Sequence, residues 1–588
     1  MNQTTTKEQV AQVLTEIATL LDLKGENPFK SRAYANAARA IEALAEPLET
    51  VFAPNSEARI KGIGESLHEK ICELLATGKL AYYEELKNSV PPGLLMMLSI
   101  PGLGPKKVKA LHDRLGIETM EQLEKACQAG QVAELAGFGD KTQANILAGI
   151  GFRRQYAALH LFHDALLVAG PILDSLREHP DVARCGAAGS LRRCKEVIGD
   201  IDLLASSKNP RAVIEFFTAQ PGVASVIAKG ETKSSVVLEG GIQADLRVVS
   251  DAEYPFALAY FTGSKEHNIV MRQRAIQRGL RLNEYGLFKS ETETRDPALR
   301  VECRTEAEIF ERLGLADIPP ELREDRGEFD AAGKNALPRL IEWTDLKGSV
   351  HNHSTWSDGH NTLAEIARQA QDLGCAYWAV TDHSKSSFQA NGLDPARLRS
   401  QLEEVAALNR QFAAEGRDFR FLTGSEVDIL PDGRLDFEDD VLALLDVVVA
   451  SVHQGFTQSE AEMTRRLIRA AQNPHVHILG HLTGRLLLER EPYKVNQTAV
   501  IDACAETGTW IELNASPLRC DMDWRLWHYA KDKGVKCAIN CDAHRYEDAG
   551  YLRLGAGLAR KGWLEKQDVV NTLSLAGLRQ ALQRKRNR

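Results

Sequence analysis

The sequence lacks the features that mark membrane and secreted proteins. Of its 588 residues, 44% are hydrophobic and 26% are charged, and there is no long uncharged run that could cross a bilayer, which excludes an integral membrane protein. The first 23 residues lack the basic start, apolar centre and small-residue cleavage site of a secretory signal. The ten cysteines include no Cys-x-x-Cys pair, which argues against a disulfide or zinc framework and predicts reduced thiols in a cytoplasmic protein.

The sequence also lacks an excess of positive charge. Lysine and arginine total 72 against 81 aspartate and glutamate residues, which gives a formal net charge of −9. This balance argues against a surface coated with phosphate-binding side chains, so any contact with nucleic acid has to come from a few placed groups. At ~100–200 residues per domain, a chain of this length predicts roughly three to five folding units.

Three short glycine motifs interrupt an amphipathic helical pattern in the first 151 residues. A Gly-x-Gly turn allows a sharp hairpin and leaves the first backbone N–H groups of the next helix free to bind a phosphate. One copy is most often a simple connection, whereas three copies, each opening a helix, favour a helix-hairpin-helix region that binds nucleic acid. The candidate DNA-binding glycines are Gly62, Gly64, Gly102, Gly104, Gly137 and Gly139.

Beyond this region strands and helices alternate, and three acids lie in two strand-like runs. Asp200 and Asp202 are two residues apart, and Asp245 lies in the apolar run 244–249. Strand residues two apart face the same side, so an adjacent strand carrying Asp245 would complete a carboxylate triad. Three close carboxylates repel one another unless divalent cations neutralise them, which is the requirement of a two-metal phosphoryl-transfer site.

A turn and an arginine precede these acids. Gly189-Ser190 offers backbone N–H groups and a hydroxyl, and Arg193 offers a planar guanidinium, all of which suit the oxygens of a triphosphate. An Asp-x-Asp motif alone is usually an exposed strand edge. Together with the turn, the arginine and the third acid it favours a nucleotide site.

Histidines and acids follow successive strand-like runs in the last part of the chain. About 240 residues of βα repeat predict a barrel-like α/β domain, in which strand ends converge on one face. A lone histidine on an apolar strand is usually a packed core residue, but nine such residues favour one shared pocket. They are His351, His353, Asp358, His383, Glu426, His453, His481, Asp542 and His544.

The middle of the chain resembles the nucleotidyltransferase palm and thumb of family X DNA polymerases. The Gly-Ser turn, the three acids and the run Tyr260-Phe261-Thr262-Gly263-Ser264 carry the resemblance. It implies that Asp200, Asp202 and Asp245 hold two Mg²⁺ or Mn²⁺ ions, and that Asp245 helps to deprotonate the primer 3′-hydroxyl. The implied nucleotide-binding residues are Gly189, Ser190, Arg193, Tyr260, Phe261, Gly263 and Asn268.

The helical N-terminal part resembles the lyase domain of the same polymerases. Ala33-Tyr34 and Glu69-Lys70-Ile71 carry this resemblance, which implies that Lys70 is a Schiff-base nucleophile. A lysine on an amphipathic helix is otherwise an ordinary solvated residue, and Ser66 and Tyr82 stand where the family has lysines.

The chain from about Asp345 onward resembles the polymerase and histidinol phosphatase (PHP) domain, a distorted (β/α)7 barrel with a trinuclear metal centre. The resemblance implies that the nine histidines and acids named above bind up to three Mn²⁺, Zn²⁺ or Fe ions. Mixed imidazole and carboxylate ligands suit these ions better than magnesium, and such a cluster hydrolyses phosphoesters.

Together these resemblances predict a bacterial family X DNA polymerase with a C-terminal PHP domain. Such an enzyme would add dNTPs to a primer 3′ end on gapped or primer-template DNA, with 3′→5′ exonuclease or 3′-end processing activity in the PHP domain and no membrane partner. Two alternatives stay open: a phosphoesterase with an inactive polymerase core, and a DNA-binding repair scaffold. The predicted parts are a lyase-like domain (1–90), helix-hairpin-helix fingers (91–150), palm (151–250), thumb (251–318), linker (319–345) and PHP domain (346–588).

Overall fold

The chain folds into two compact units, residues 1–157 and residues 158–588. The computed structural model describes residues 6–42, 44, 48–53, 60, 62–100, 102–289 and 296–586. Within these ranges, no helix is both long enough and apolar enough to span a bilayer.

The first unit is helical, and its helices share one apolar core. Its first helix begins at a capping box, in which Thr6 and Gln9 satisfy each other's backbone N–H groups, and ends at Gly25 in the left-handed conformation. The second helix packs against the first. The helices are α1 (Lys7–Lys24), α2 (Pro28–Glu42), α3 (Leu48–Val51), α4 (Glu65–Thr77), α5 (Ala81–Asn88), α6 (Pro92–Met97), α7 (Pro105–Leu115), α8 (Met120–Gln128) and α9 (Gly139–Tyr156).

The three Gly-x-Gly turns each precede a helix of this unit. Gly64 and Gly104 are the N-caps of α4 and α7, and both have φ −82° and ψ 171°. The first glycine of each turn has a positive φ, for example 96° at Gly62, which explains the residue type because L side chains rarely adopt this conformation. The third turn differs, since Phe138 rather than a glycine is the N-cap of α9.

A five-stranded sheet forms the palm part of the second unit. Its strand order is β2-β4-β7-β6-β5, in which β4 and β7 are parallel and the other neighbours are antiparallel. Helices α10 and α12 pack on this sheet. The elements are β1 (His160–Leu161), α10 (Phe162–Glu178), β2 (Val182–Ala187), α11 (Gly189–Arg192), β3 (Val197–Ile198), β4 (Asp200–Ser207), α12 (Pro210–Thr218), β5 (Val223–Lys229), β6 (Lys233–Leu238) and β7 (Gln243–Val249).

The thumb part has its own core, which includes Phe256, Met271 and Phe310. The residues expected to form a linker, 319–345, include α16 and short 3₁₀ helices, and Arg323 and Glu328 in this segment are 1% and 0% exposed. The domain boundaries stay predictions. The thumb elements are α13 (Tyr254–Thr262), α14 (Lys265–Gln277), β8 (Leu280–Asn283), β9 (Gly286–Lys289), α15 (Glu306–Arg312) and α16 (Glu328–Gly333).

The rest of the second unit is a seven-stranded parallel barrel that is nearly closed. Its strands pair in chain order, and a parallel bridge between Asn352 and Ala543 brings the first strand end to the last. The fold class predicted from the sequence is confirmed. The strands are β10 (Gly348–Ser349), β11 (Tyr377–Val380), β12 (Arg420–Asp428), β13 (Val447–Ser451), β14 (Ile478–Leu479), β15 (Trp510–Asn514) and β16 (Cys537–Asn540).

Helices connect these strands and cover the barrel. They are α17 (Leu363–Asp372), α18 (Pro395–Ala414), α19 (Asp439–Leu442), α20 (Glu460–Gln472), α21 (Gln497–Thr507), α22 (Trp527–Asp532), α23 (Leu552–Lys561) and α24 (Leu575–Arg586). Because all seven strands are parallel, their carboxyl ends open on one face, where the loops can build a site.

Candidate active sites

Three acids come together on the paired strands β4 and β7. Asp202 and Asp245 are register partners across the parallel pair, and Asp200 lies two residues before Asp202 on the same side of β4. Asp245 accepts a hydrogen bond from Gln243 Nε2 (2.9 Å) and pairs with Lys233 Nζ (2.7 Å). The structure therefore brings together the three acids that the sequence predicted would meet.

The electrostatics of these acids fit a cation site. Burial, together with the charges of Asp200 and Asp245, raises the pKa of Asp202 to about 6. The pKa of Asp200 is raised by the same two causes, burial and the Asp245 charge. Burial also acts against ionisation of Asp245, but hydrogen bonds from Lys233 and Gln243 outweigh it and lower the pKa of Asp245. Acids that suppress each other's ionisation accept a divalent ion readily, because the ion neutralises them.

Gly189, the first residue of α11, allows the start of this helix to approach Asp202. Its φ is 58°, and a Cβ added there would lie 2.1 Å from Asp202 Oδ2, so a larger residue would displace the acid. The backbone N–H of Ala188 donates to the carbonyl of Asp202 (2.8 Å). Ser190 follows as the second residue of α11. The Gly189-Ser190 turn thus lies directly beside the acids.

The two arginines that follow this turn have different surroundings. Arg192 donates to Thr262 Oγ1 (2.6 Å) and forms a two-pronged ion pair with Glu306, so it fixes the palm to the thumb. Arg193 donates Nε to Glu324 Oε1 (3.0 Å) and Nη1 to the carbonyl of Thr262. Thus Arg193, the predicted triphosphate ligand, is held beside the turn in a defined orientation.

The predicted sugar and base contacts lie at the start of the thumb. Tyr260 and Phe261 form an edge-to-face pair with centroids 5.2 Å apart, and Asn268 Nδ2 donates to the carbonyl of Tyr260 (2.7 Å). A Cβ added at Gly263 would lie 3.1 Å from Arg193 Nη1. The structure therefore places Gly263 beside Arg193 and ties Asn268 to Tyr260.

Lys70, the predicted lyase nucleophile, lies on an exposed face of α4. Its Nζ donates to Ser66 Oγ (2.9 Å) and lies 5.3 Å from the centre of the Tyr82 ring. Tyr82 stacks in turn on Tyr34 at 6.1 Å. The lyase role of Lys70 stays a prediction.

The nine predicted ligands of the barrel gather at the carboxyl ends of its strands. Three groups have ligand atoms within 4.8 Å of one another: His353, Asp358, His383 and His544; His351, His353 and Glu426; and His383, Glu426 and His453. The two others are close by, since His481 Nε2 lies 2.8 Å from Glu426 Oε1 and Asp542 Oδ1 lies 3.1 Å from His353 Nε2.

Glu426 lies at the centre of this cluster. Its Oε2 is 2.9 Å from His383 Nδ1 and 3.4 Å from His351 Nε2, and its Oε1 is 3.2 Å from His453 Nε2. The side chain is 1% exposed. A single buried carboxylate thus lies beside several imidazoles, so any ion that these rings bind would also meet Glu426.

The imidazoles of the cluster differ in their affinity for protons: neighbouring carboxylates outweigh burial and raise the pKa of His351, His453 and His544, whereas the pKa of His353 shifts the other way. Burial and the neighbouring rings of His544 and His383 lower the pKa of His353 to about 3, so its ring is neutral and can act as a ligand. The pKa of Glu426 lies well below its usual value, because the surrounding histidines outweigh the effect of its burial. The backbone of Asp542 has a left-handed φ of 51°, a conformation that aspartate adopts more readily than most residues.

The donor set fits transition-metal ions. His351 Nε2 and His353 Nδ1 are buried without a hydrogen-bond partner, yet they lie 3.4 Å from Glu426 Oε2 and 3.8 Å from Asp358 Oδ1. Buried imidazole nitrogens are costly to leave unpaired, and an ion between nitrogen and carboxylate would satisfy both. Imidazole and carboxylate together suit manganese, zinc or iron.

Sequence reasoning missed the residues that orient these ligands. Glu512 Oε1 accepts from His351 Nδ1 (2.7 Å), and Asp428 Oδ1 accepts from His453 Nδ1 (2.6 Å). Both acids are buried, and a carboxylate behind a ligating histidine fixes its tautomer and ring orientation. The available signal was an acid among apolar strand residues, as Glu512 lies between Ile511 and Leu513 in β15.

Comparison with known proteins supports this assembly of parts. Family models match four segments: a helix-hairpin-helix domain (residues 5–80), a SAM-like helix-hairpin-helix tandem (94–151), the DNA polymerase beta thumb (257–324) and the PHP domain (349–516). The DNA polymerase/3′-5′ exonuclease PolX of Bacillus subtilis (strain 168) is 39% identical over 583 residues, which is 98% of this chain and 99% of the relative. The chain belongs to the PolX family. The resemblance to family X polymerases with a PHP domain is therefore confirmed.

Shorter relatives share only part of this PolX-family chain. A probable phosphatase of Caldanaerobacter subterraneus subsp. tengcongensis is 30% identical over 251 residues, 41% of this chain and 92% of the relative. A probable phosphatase of Thermoanaerobacter sp. (strain X514) is 28% identical over 236 residues, 38% of this chain and 89% of the relative. These proteins are similar in size to the PHP part alone.

Proposed function

We propose that this PolX-family protein is a gap-filling DNA polymerase that also removes nucleotides from 3′ ends. The observation that carries the proposal is the pairing of two separate acid-rich centres in one unit, the Asp200-Asp202-Asp245 triad and the histidine cluster around Glu426. Whole-length identity to the Bacillus subtilis relative supports it. The substrates are gapped or primer-template DNA and dNTPs.

In the polymerase centre, Asp200, Asp202 and Asp245 would hold Mg²⁺ or Mn²⁺. When bound, such ions neutralise charge on the transferred phosphoryl group and lower the pKa of the primer 3′-hydroxyl. The N–H groups of the Gly189-Ser190 turn donate to the triphosphate oxygens. Asp245, which faces Asp202 across the paired strands, would accept the proton that the hydroxyl loses.

Other residues of this centre orient the nucleotide. Arg193 presents a guanidinium to the triphosphate, and its contacts with Glu324 and Thr262 fix the direction of that group. The Tyr260-Phe261 pair offers an aromatic surface to the sugar, and Asn268 presents an amide to the base edge. The hairpin glycines of the first unit leave helix N–H groups for the DNA backbone.

In the barrel, the nine histidines and acids would hold up to three Mn²⁺, Zn²⁺ or Fe ions. Such ions lower the pKa of the attacking water and neutralise the phosphate oxygens. Glu512 and Asp428 hold the rings of His351 and His453 in place. Arg519, whose Nε lies 3.4 Å from Asp542 Oδ2, adds a positive charge beside the cluster that attracts the phosphate.

A time course on one-nucleotide-gapped DNA tests both activities at once. The wild type should extend the primer with dNTPs and shorten it without them, in the presence of Mn²⁺. Asp202→Asn should abolish extension and keep shortening, and His353→Ala should do the reverse, because each change removes a ligand from only one centre. Each variant is thus the folding control for the other. A wild-type protein that cannot extend the gap would refute the polymerase assignment.

A phosphomonoesterase activity of the barrel is a second candidate, favoured by the similarity to proteins named probable phosphatases. A DNA strand ending in a 3′-phosphate separates the two. Release of inorganic phosphate that is lost in His353→Ala indicates a phosphatase, whereas release of mononucleotides indicates an exonuclease.

A further inference from the structure

Hydrogen bonds connect the predicted triphosphate ligand Arg193 to a residue of the barrel. Its Nε donates to Glu324 Oε1 at 3.0 Å. The same oxygen accepts from Lys561 Nζ at 2.6 Å, and Lys561 Nζ also donates to the backbone carbonyl of Arg193 at 2.9 Å. Lys561 is the last residue of the barrel helix α23, so a residue outside the polymerase region touches Arg193 at two points, one direct and one through Glu324.

These three charged side chains are withdrawn from solvent. The exposed fractions are 0% for the Lys561 side chain, 11% for Glu324 and 12% for Arg193. Lys561 Nζ also lies 4.4 Å from the centre of the Trp524 ring. Buried charges are costly and add little net stability even when paired, so this arrangement is better explained by the orientation it imposes on Arg193.

A second contact holds the same palm segment against the barrel. Glu196 accepts hydrogen bonds from Trp524 Nε1 (3.0 Å) and Arg525 Nη1 (2.9 Å). The helix α23 packs in turn on β15 and β16, the strands that carry Glu512 and lead to Asp542. The segment that follows the nucleotide turn is therefore clamped by the wall of the barrel.

We propose that Lys561 is a positioning residue for nucleotide binding: through Glu324 and the Arg193 carbonyl it orients the Arg193 guanidinium toward the triphosphate of the incoming dNTP. The barrel thereby contributes to the dNTP affinity of the polymerase centre, although it holds the other active site. This inference rests on the proposed function of Arg193 in triphosphate binding.

A double-mutant cycle on the full-length protein tests this role. The variants are Lys561→Met, Arg193→Ala and the double change, with Lys566→Met as the control, because Lys566 is an exposed barrel lysine paired with Asp345. Steady-state extension of gapped DNA gives KM for the dNTP and kcat, and 3′-end removal by the same preparation reports an intact barrel. Lys561→Met should raise KM about tenfold or more, since it removes a buried charge-assisted hydrogen bond, with kcat and 3′-end removal within twofold of wild type.

The cycle separates positioning from a purely structural contact. In the Arg193→Ala background, Lys561→Met should change KM less than twofold, because no guanidinium is left to orient. An unchanged KM in Lys561→Met, or an equal rise in both backgrounds, overturns the proposal. If Lys561→Met does not fold, Glu324→Gln replaces it in the same cycle with the same criteria. A wild type unable to extend the gap refutes the proposed function instead, so the two failures are distinguishable.

Discussion

Replacing Gly189 by alanine should slow primer extension, because the added methyl group would displace Asp202. The residue has a φ of 58°, where an alanine costs about 1–2 kcal/mol, and its added Cβ would lie 2.1 Å from Asp202 Oδ2. Since contacts of a Cβ under 3.0 Å essentially never occur, the turn or the acid must move by about 0.9 Å. A misplacement of about 1 Å at a reacting centre costs on the order of 10²-fold in rate, so kcat for extension should fall about 100-fold.

The assay is single-nucleotide extension of gapped DNA, with 3′-end removal measured in parallel. The matched control is Gly199→Ala, three residues before Asp202, where the added Cβ meets only Leu159 Cδ2 at 3.8 Å. That variant should extend within threefold of wild type, and both variants should keep full 3′-end removal. Extension by Gly189→Ala within threefold of wild type would show that the turn does not determine the position of Asp202.

Two other substitutions address the buried acids that orient histidines. Glu512→Gln should raise the Mn²⁺ concentration for half-maximal 3′-end removal by about 10-fold to 100-fold, because it weakens the hydrogen bond that orients His351. The control is Glu506→Gln, a change of an exposed residue. Equal Mn²⁺ requirements of the two variants would contradict this role of Glu512. Glu328→Ala should destabilise the thumb by about 3 kcal/mol, because Glu328 is buried, lies 2.9 Å from His267 Nδ1 and accepts two backbone N–H groups, which the change would leave buried without this partner. Thermal unfolding measures this effect, with Asp330→Ala as the control because Asp330 is an exposed residue of the same helix. Equal melting temperatures of the two variants would refute the prediction.

Short-range periodicity made much of the two sites predictable. The Asp-x-Asp spacing fixed Asp200 and Asp202 on one side of a strand, because side chains of a strand alternate between its faces. Residue spacing could not identify the strand partner of Asp202, because α12 and two strands separate β4 from β7 along the chain. Their parallel pairing, which sets Asp245 opposite Asp202, depends on the whole sheet.

Residues that act through other residues escaped prediction for a related reason. Glu512 and Asp428 touch the ligand histidines from behind, and a single acid in a strand has no spacing that identifies its partner. Lys561 and Glu324 are separated along the chain by most of the barrel, and their 2.6 Å contact follows from how the thumb meets α23. Motifs therefore identify the groups that face substrate better than those that support them.

The position of Glu426 links the histidines of the barrel to one carboxylate. Its two carboxylate oxygens lie within 3.6 Å of five histidines, His351, His353, His383, His453 and His481. Any ion that these rings held would also meet this carboxylate, so the positions of the cluster would be coupled through one side chain. Loss of the Glu426 carboxylate should therefore affect the whole cluster, whereas loss of one histidine should affect only the positions that it faces.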